Sequence, residues 1–430
     1  MSSEQPDGRS TPDASRPTPV SSPASCVGRD ASGVVRLRDL ALVCARVGTF
    51  GFGGGMAMLA ILREHVLNRR KWLSEAEFMT AVAMAQMVPG PFIPNVAEYI
   101  GYRLRGFKGM LLAAVSFLLP SVLAILALSV VYFRYGSVPA VQSAFRGIGP
   151  VVCAILLVAT GQLARSTFRA RDSATGPVRS ILIAVLAFAA LLFRVDALLT
   201  IAACGLLGIL FGALRKRDSA ASPGQRLHAF IPWLFAPWFV PAAFALQPEH
   251  AVGAILRRAA ELLGVFLKIG TIVWGGGFAA IPFIRYEVVD ARHWLTAREF
   301  IDGVALGQIT PGPVAITATF VGYRVLGIAG ALLSTIAMFL PSFVILLLLL
   351  RVYDRIRDHD LVKGFLQGIM PAVVGMLLSA AVVIGRDAIT TIPAAGLGLL
   401  GLVLLAVVKL DPVWLVLGGG LLGIALQGRL

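Results

Sequence analysis

The sequence predicts an all-α, polytopic membrane protein made of two homologous halves, arranged as an inverted-topology repeat with broken or re-entrant helices. Three observations carry that expectation: a composition too apolar for water, thirteen apolar segments, and an order of motifs that recurs once along the chain.

Of 430 residues, 57% are hydrophobic and 14% charged, with a mean hydropathy of +0.82. A soluble globular protein carries about 25% charged residues, so lipid is the natural solvent. The net charge is +15, but the basic residues sit between apolar runs, where they flank a membrane and meet anionic headgroups. The implied partner is therefore the lipid bilayer, and nucleic acid is not expected. Cys26, Cys44, Cys153 and Cys204 form no CxxC pair, and the five histidines have no ligand-like spacing. No metal and no cofactor are expected. An intramembrane enzyme would need a nucleophile–base pair or a metal set; with no intramembrane histidine and no paired aspartate motif, no enzyme is expected either.

The apolar segments fall at about 40–62, 76–104, 110–133, 141–164, 179–195, 197–214, 229–246, 262–284, 299–322, 328–350, 362–385, 391–408 and 412–427. Most have the roughly 17–25 residues that cross a hydrocarbon core as helix. Before them, residues 1–35 form a tail rich in Ser, Pro, Asp and Arg, read as disordered and cytoplasmic. With no apolar stretch behind a basic start, it is not a signal peptide.

Gly53-Gly54-Gly55 recurs as Gly275-Gly276-Gly277, Trp72-Leu73 as Trp294-Leu295, and Glu77-Phe78 as Glu299-Phe300. Gln86 precedes Pro89-Gly90-Pro91 as Gln308 precedes Pro311-Gly312-Pro313. Gly101-Tyr102-Arg103 matches Gly322-Tyr323-Arg324, and Leu119-Pro120-Ser121 matches Leu340-Pro341-Ser342. Order and spacing kept over such a length mark a duplication. The expected division is a first half over 36–226, a linker over 227–252 with an extra hydrophobic segment, and a second half over 253–430.

A single spanning linker between halves that each cross an even number of times inverts the second half. The basic stretches at 63–71, 103–108, 165–179 and 215–226 all belong inside by the positive-inside rule. That requires segments 40–62 and 76–104 each to turn back, and each has a break where it would turn: the glycine run at 51–55 and Pro89-Gly90-Pro91. The 285–298 stretch, diluted by Glu287 and Asp290, suits an outside loop.

Ser74-x-x-Glu77 and Thr296-x-x-Glu299 are capping boxes, so these acids are assigned to helix starts. Trp72 and Trp294 read as interfacial anchors. Pro-Gly-Pro cannot continue a helix, and freed backbone groups at membrane depth are tolerated only inside protein or beside a water cavity. The half-helix after each break presents N–H groups and a positive dipole end, a cradle for an anion. Gln86, Asn95, Gln308, Thr310 and Thr317 surround the breaks. Glu98 lies deep in an apolar segment where the second half has Thr319; it is read either as a coupling group or as a partner of Arg103 or Arg105. The glycine runs have no Lys-Ser/Thr after them, so they are not phosphate loops; they serve as cavity-lining turns or as close helix contacts.

With Phe50-Gly51-Phe52-Gly53-Gly54-Gly55, Pro89-Gly90-Pro91 and Gly101-Tyr102, all echoed in the second half, the chain resembles the chromate ion transporter family over about residues 38–428. The resemblance implies a fused two-half protein of the bacterial inner membrane. It implies chromate efflux and resistance, a relation to sulfate, and a drive from the membrane potential or proton gradient. Chromate or a similar oxyanion would bind between Pro89, Gly90, Pro91 and Pro311, Gly312, Pro313. An anion channel, or a carrier of another small anion, is the alternative. The oligomeric state stays open, with a homodimer admitted.

The inverted arrangement makes a direct prediction. Cysteines substituted for Arg69 and Arg292 should label from opposite faces of the membrane; labelling from one face only would refute the topology.

Overall fold

In a bilayer, backbone groups must be satisfied within the chain, and helix is what a run of apolar residues without a sheet partner adopts. The computed structural model describes residues 35–51, 55–169, 176–217, 251–356 and 359–426, and among them there is no strand. The expected linker segment, the tail up to residue 34, and Gly53 and Gly54 lie outside the described residues.

The first half contains α1 (Leu37–Phe50), α2 (Gly55–Arg63), α3 (Glu75–Met87), α4 (Phe92–Tyr135), α5 (Pro139–Arg169), α6 (Gly176–Leu192) and α7 (Ala197–Arg217). The second contains α8 (Ala251–Ile272), α9 (Ala280–Arg285), α10 (Ala297–Ile309), α11 (Thr317–Ile356), α12 (Asp360–Ala388), α13 (Ile392–Val403) and α14 (Pro412–Ala425). Each helix of one half thus has its counterpart seven places on. Short π-helical turns, Glu64–Arg69 and Tyr286–Ala291, extend α2 and α9 alike. Among the described residues, five helices (α4, α5, α7, α11 and α12) are long and apolar enough to cross a membrane.

The sequence breaks are real breaks in helix. The glycine runs separate α1 from α2 and α8 from α9, and the Pro-Gly-Pro motifs separate α3 from α4 and α10 from α11. A further turn lies inside α4, where Arg105 and Gly106 leave helical geometry and Gly106 takes φ 62°; Leu326 and Gly327 (φ 60°) repeat it in α11. Residues eight apart on a straight helix are separated by about 12 Å. Yet Gly101 lies against Gly109 and Gly322 against Gly330, close enough that a Cβ on Gly101 would sit 2.4 Å from the Gly109 carbonyl oxygen. Each long helix therefore folds back on itself as a short arm and a long arm.

The two equivalent turns lie at opposite ends of the bundle. Phe133, near the end of α4, stacks on Phe320 and Tyr323 just before the second turn, with ring centroids 5.0 and 5.8 Å away. Phe107, directly after the first turn, meets Phe343 edge-on at 6.1 Å. The long arm of α4 between Phe107 and Phe133 covers about 40 Å, so the halves are inverted.

Each half also lends its last two helices to the other: α6 and α7 pack on α12, while α13 and α14 pack on α5. Glycines allow the approach, with Gly147 on Gly419 and Gly423, and Gly208 on Gly364 and Gly368. Small residues are the usual means of bringing helices together in lipid, where apolar burial offers little drive.

Both capping boxes form. Ser74 and Thr296 accept from the N–H of Glu77 and Glu299, and each glutamate accepts from the N–H of its cap residue. Glu77 also takes Arg103 at 2.8 Å, and Glu299 takes Arg324 at 3.3 Å. The acids thus tie the start of each half-helix to the short arm beyond its break. Glu77→Gln, which keeps the cap acceptor, should preserve transport and shift stability by no more than about 1 kcal/mol. Glu77→Ala should cost about 0.5–2 kcal/mol. Thermal unfolding in detergent beside a transport assay checks this; loss of transport by a well-folded Glu77→Gln would place the acid in the mechanism.

Candidate functional site

The site is built where the two sets of breaks cross. At the end of α1, Gly51 has a carbonyl with no partner in its own helix, as every helix terminus does. Val273 stands at the equivalent place after α8. The Gly90 N–H donates to the Val273 oxygen at 2.5 Å, and the Gly312 N–H donates to the Gly51 oxygen at 3.4 Å. Each Pro-Gly-Pro therefore caps the broken helix of the other half. Gly90 and Gly312 hold φ 110° and 108°, in the region that favours glycine. Each also presses on a serine of the opposite half: a Cβ on Gly90 would lie 2.6 Å from the Ser342 Cβ, and one on Gly312 would lie 2.1 Å from the Ser121 Oγ.

Around this crossing lie polar atoms with no hydrogen-bond partner among the described residues: both amide atoms of Asn95, the Ser121 Oγ, the Gln308 Nε2 and the Glu98 Oε2. Asn95 and Ser121 are 0% exposed, Glu98 1% and Gln308 9%. A buried polar group without a partner costs about 1–3 kcal/mol, so four such residues gathered on two breaks call for a ligand or ordered water. The half-helix starts add their own donors. Phe92 and Ile93 open α4, whereas Pro94 has no N–H to give. In the second half, Gly277 lies so close to the Val314 and Ala315 amides that a Cβ there would sit 3.0 and 3.4 Å from their nitrogens. A bare glycine at that place keeps the amides approachable.

The remaining sequence candidates divide. Pro89, Gly90 and Pro91 are buried, as is Pro313, while Pro311 and Gly312 are half-buried. Thr310 and Thr317 are buried, but their hydroxyls donate to the Leu306 and Val314 carbonyls at 2.7 and 2.9 Å. With its one proton so engaged, neither hydroxyl is left to donate to an anion. Gln86 is exposed where its counterpart Gln308 is buried. Gly55 is exposed and Gly275, at φ 88°, is exposed too, whereas Gly276 and Gly277 are half-buried.

Glu98 has neither Arg103 nor Arg105 as partner among the described ion pairs. In the second half its place is taken by Thr319, bonded to Thr335 at 2.7 Å, beside Ser334 donating to the Ala318 carbonyl at 2.8 Å. The first half has Ala113 and Ala114 opposite Glu98, so the carboxyl meets no hydroxyl there.

Packing around the crossing is unequal. In the second half, α9 and α10 pack against α12, and α10 also against α5; in the first, α2 and α3 pack chiefly on α1, α4 and α11. The core is accordingly in two clusters, one confined to residues 40–117 with Leu346 and Leu349, the other joining the second half to α5, α6 and α7. Ion pairs reinforce the second. Arg285 reaches Asp387 at the end of α12 at 3.0 Å, and Lys268 bridges Glu287 at 2.8 Å and Asp196 at 3.4 Å, between α6 and α7. The counterpart of Arg285, Arg63, pairs only locally with exposed Glu75. Sequence reading missed these pairs because their members are far apart in the chain. It also passed over Ser121 and Ser342, although the repeated Leu-Pro-Ser was the available signal.

The family model for chromate transporters matches residues 38–209 and 260–424. The chain belongs to the chromate transporter family. A chromate transport protein of Cupriavidus metallidurans is 31% identical, over 90% of this chain and 92% of that protein. An uncharacterized transporter of Methanocaldococcus jannaschii is 33% identical, over 78% and 81% respectively. An uncharacterized transporter of Bacillus subtilis is 33% identical over 31% of this chain but 72% of its own length. That relative is about the size of one half, as a family that doubled by fusion would contain. No solved structure matches significantly. This member of the family is a multi-pass membrane transporter.

The contacts of Gly90 and Gly312 predict a strong effect of one added carbon. Gly312→Ala meets both positive φ and the Ser121 hydroxyl, and should lower stability by about 1–3 kcal/mol. Adding Ser121→Gly should restore part of that loss by removing the clash but not the strain. A double-mutant cycle on thermal unfolding measures it; a neutral Gly312→Ala would mean that the two breaks do not lock the halves.

Proposed function

We propose that this protein is an alternating-access secondary transporter that exports an oxyanion, chromate, across a bacterial inner membrane, with its amino terminus in the cytoplasm. The observation that carries the reading is the set of partnerless buried polar atoms on Asn95, Ser121 and Gln308, gathered where two half-helix starts cross. An anion at membrane depth must exchange its hydration shell for donors already in place. Half-helix N-termini and amides supply them without a second buried charge. The substrate assignment draws on the relatives that bear chromate transport in their names.

The unequal packing favours a gated carrier over a channel. One half is clamped to α12 through Arg285–Asp387 and to the turn between α6 and α7 through Lys268–Asp196, and the other is not, as expected of one end state of a two-state protein. Exchanging which half is clamped would turn the site to the other face.

Chromate uptake into inverted vesicles, with sulfate and proton gradients varied, tests direction, drive and the relation to sulfate together. Asn95→Leu and Gln308→Leu should each weaken chromate binding by about 1–3 kcal/mol, and exposed Gln86→Leu by less. Wild-type binding by both buried-site variants would refute the site. A steady current with no dependence on an opposing gradient would replace the carrier with a channel.

A further inference from the structure

A cavity away from the crossing has charge chemistry of its own. It has a volume of about 300 Å³ and is bounded by Arg146 and Gly149 of α5, Arg298 and Asp302 of α10, Asp387 of α12, and Thr390. That is several times the roughly 30 Å³ share of one water, enough for a small oxyanion that keeps part of its hydration. Arg146 is exposed and forms no ion pair among the described residues. Arg298 uses one Nη2 bond, to the Gln142 carbonyl at 3.1 Å. Asp387 takes Arg285 at 3.0 Å, a guanidinium that also lies 3.9 Å from Asp290.

Asp302 is the unusual member. Its side chain is 4% exposed in residue terms and enters no described ion pair, although Arg298 lies one turn before it. Its Oδ2 accepts from the Tyr132 hydroxyl at 2.8 Å. Tyr132 is held by the rings of Phe133, Phe145 and Phe320, with centroids 5.0 to 5.3 Å away. The other charged neighbour on α10, Glu299, is engaged by its cap and by Arg324. Because Arg285 is shared between Asp387 and Asp290, Arg146 and Arg298 face Asp302 and a partly matched Asp387. A proton on Asp302 tips this balance toward positive charge, which suits an anion. None of this exists at the equivalent place in the other half, where Thr80, Ala76 and Ser166 replace Asp302, Arg298 and Asp387.

We propose that this cavity is a second oxyanion site on the transport path, in which Arg146 and Arg298 hold the anion and Asp302 takes up a proton as the anion binds. The site rests on the reading of the protein as an oxyanion carrier. It joins the crossing through α10, which carries Asp302 and, about 9 Å further along at helical rise, Gln308. Because the proton and the anion favour one another, each raises the affinity for the other by the same factor. The cavity is thereby a place where anion movement at one end of the protein is linked to protons.

The test is chromate binding to the full-length protein in lipid nanodiscs from pH 5 to 8, with transport in vesicles alongside. Wild-type binding should show a component that weakens as pH rises. Arg146→Gln should weaken that component about tenfold. Asp302→Asn should keep it while abolishing its pH dependence. Tyr132→Phe removes a hydrogen bond to the carboxylate and so should move the midpoint to higher pH; this variant serves if Asp302→Asn does not fold. An unchanged pH profile in Asp302→Asn or Tyr132→Phe, or wild-type binding by Arg146→Gln and Arg298→Gln, overturns the second site. If Asn95→Leu and Gln308→Leu still fail in that case, the central site stands. A wild-type chain that neither binds nor moves chromate overturns the carrier reading itself.

Discussion

The structure depends on one exchange of backbone hydrogen bonds: Gly90 to Val273, and Gly312 to Gly51. Broken helices leave carbonyl and amide groups bare, and lipid offers them nothing. Satisfying each break within its own half would require water or a side chain. Here each half instead caps the other, so neither break is stable without its partner. The serines of the Leu-Pro-Ser motifs stand behind the same two glycines and allow the close approach. Inverted symmetry makes the arrangement self-consistent, since one solution serves twice.

From that constraint the site follows with little added. Crossing the breaks brings two half-helix starts to one place and forces α1, α4, α8 and α11 together through Gly48 on Phe117 and Gly270 on Met338. The donors that remain after mutual capping are few: the first free amides of α4 and of the turn before α11, with Asn95, Ser121 and Gln308. A small number of fixed donors can replace a hydration shell in part, which suits a cargo that must also leave.

Much of this was legible in the sequence. Duplication, inversion, the capping boxes and all four motif breaks could be read because glycine, proline and the cap residues act locally and recur. The turns at Gly106 and Gly327 fell between expected segments, since charged residues separate the apolar runs there. The start of α8 at Ala251 was missed by eleven residues: Arg257, Arg258 and Glu261 hide a helix whose polar face is exposed. Partnership between distant residues was not legible. No spacing rule connects Gly51 with Gly312, Tyr132 with Asp302, or Lys268 with Asp196, because each pair is far apart in the chain and meets only through tertiary packing.

The halves share a backbone and have parted in their chemistry. Glu98 stands where the second half has Thr319 with hydroxyl neighbours, and Asp302 stands where the first has Thr80. Net direction is set by the gradients across the membrane and not by asymmetry of the halves, because a ligand shifts an equilibrium only by its differential affinity for the two states. Glu98 and Asp302 place one buried carboxyl in each half, at non-equivalent positions, while the backbone symmetry is kept. Duplication supplied the repeated frame, and divergence at a handful of buried positions gives its two ends different chemistry.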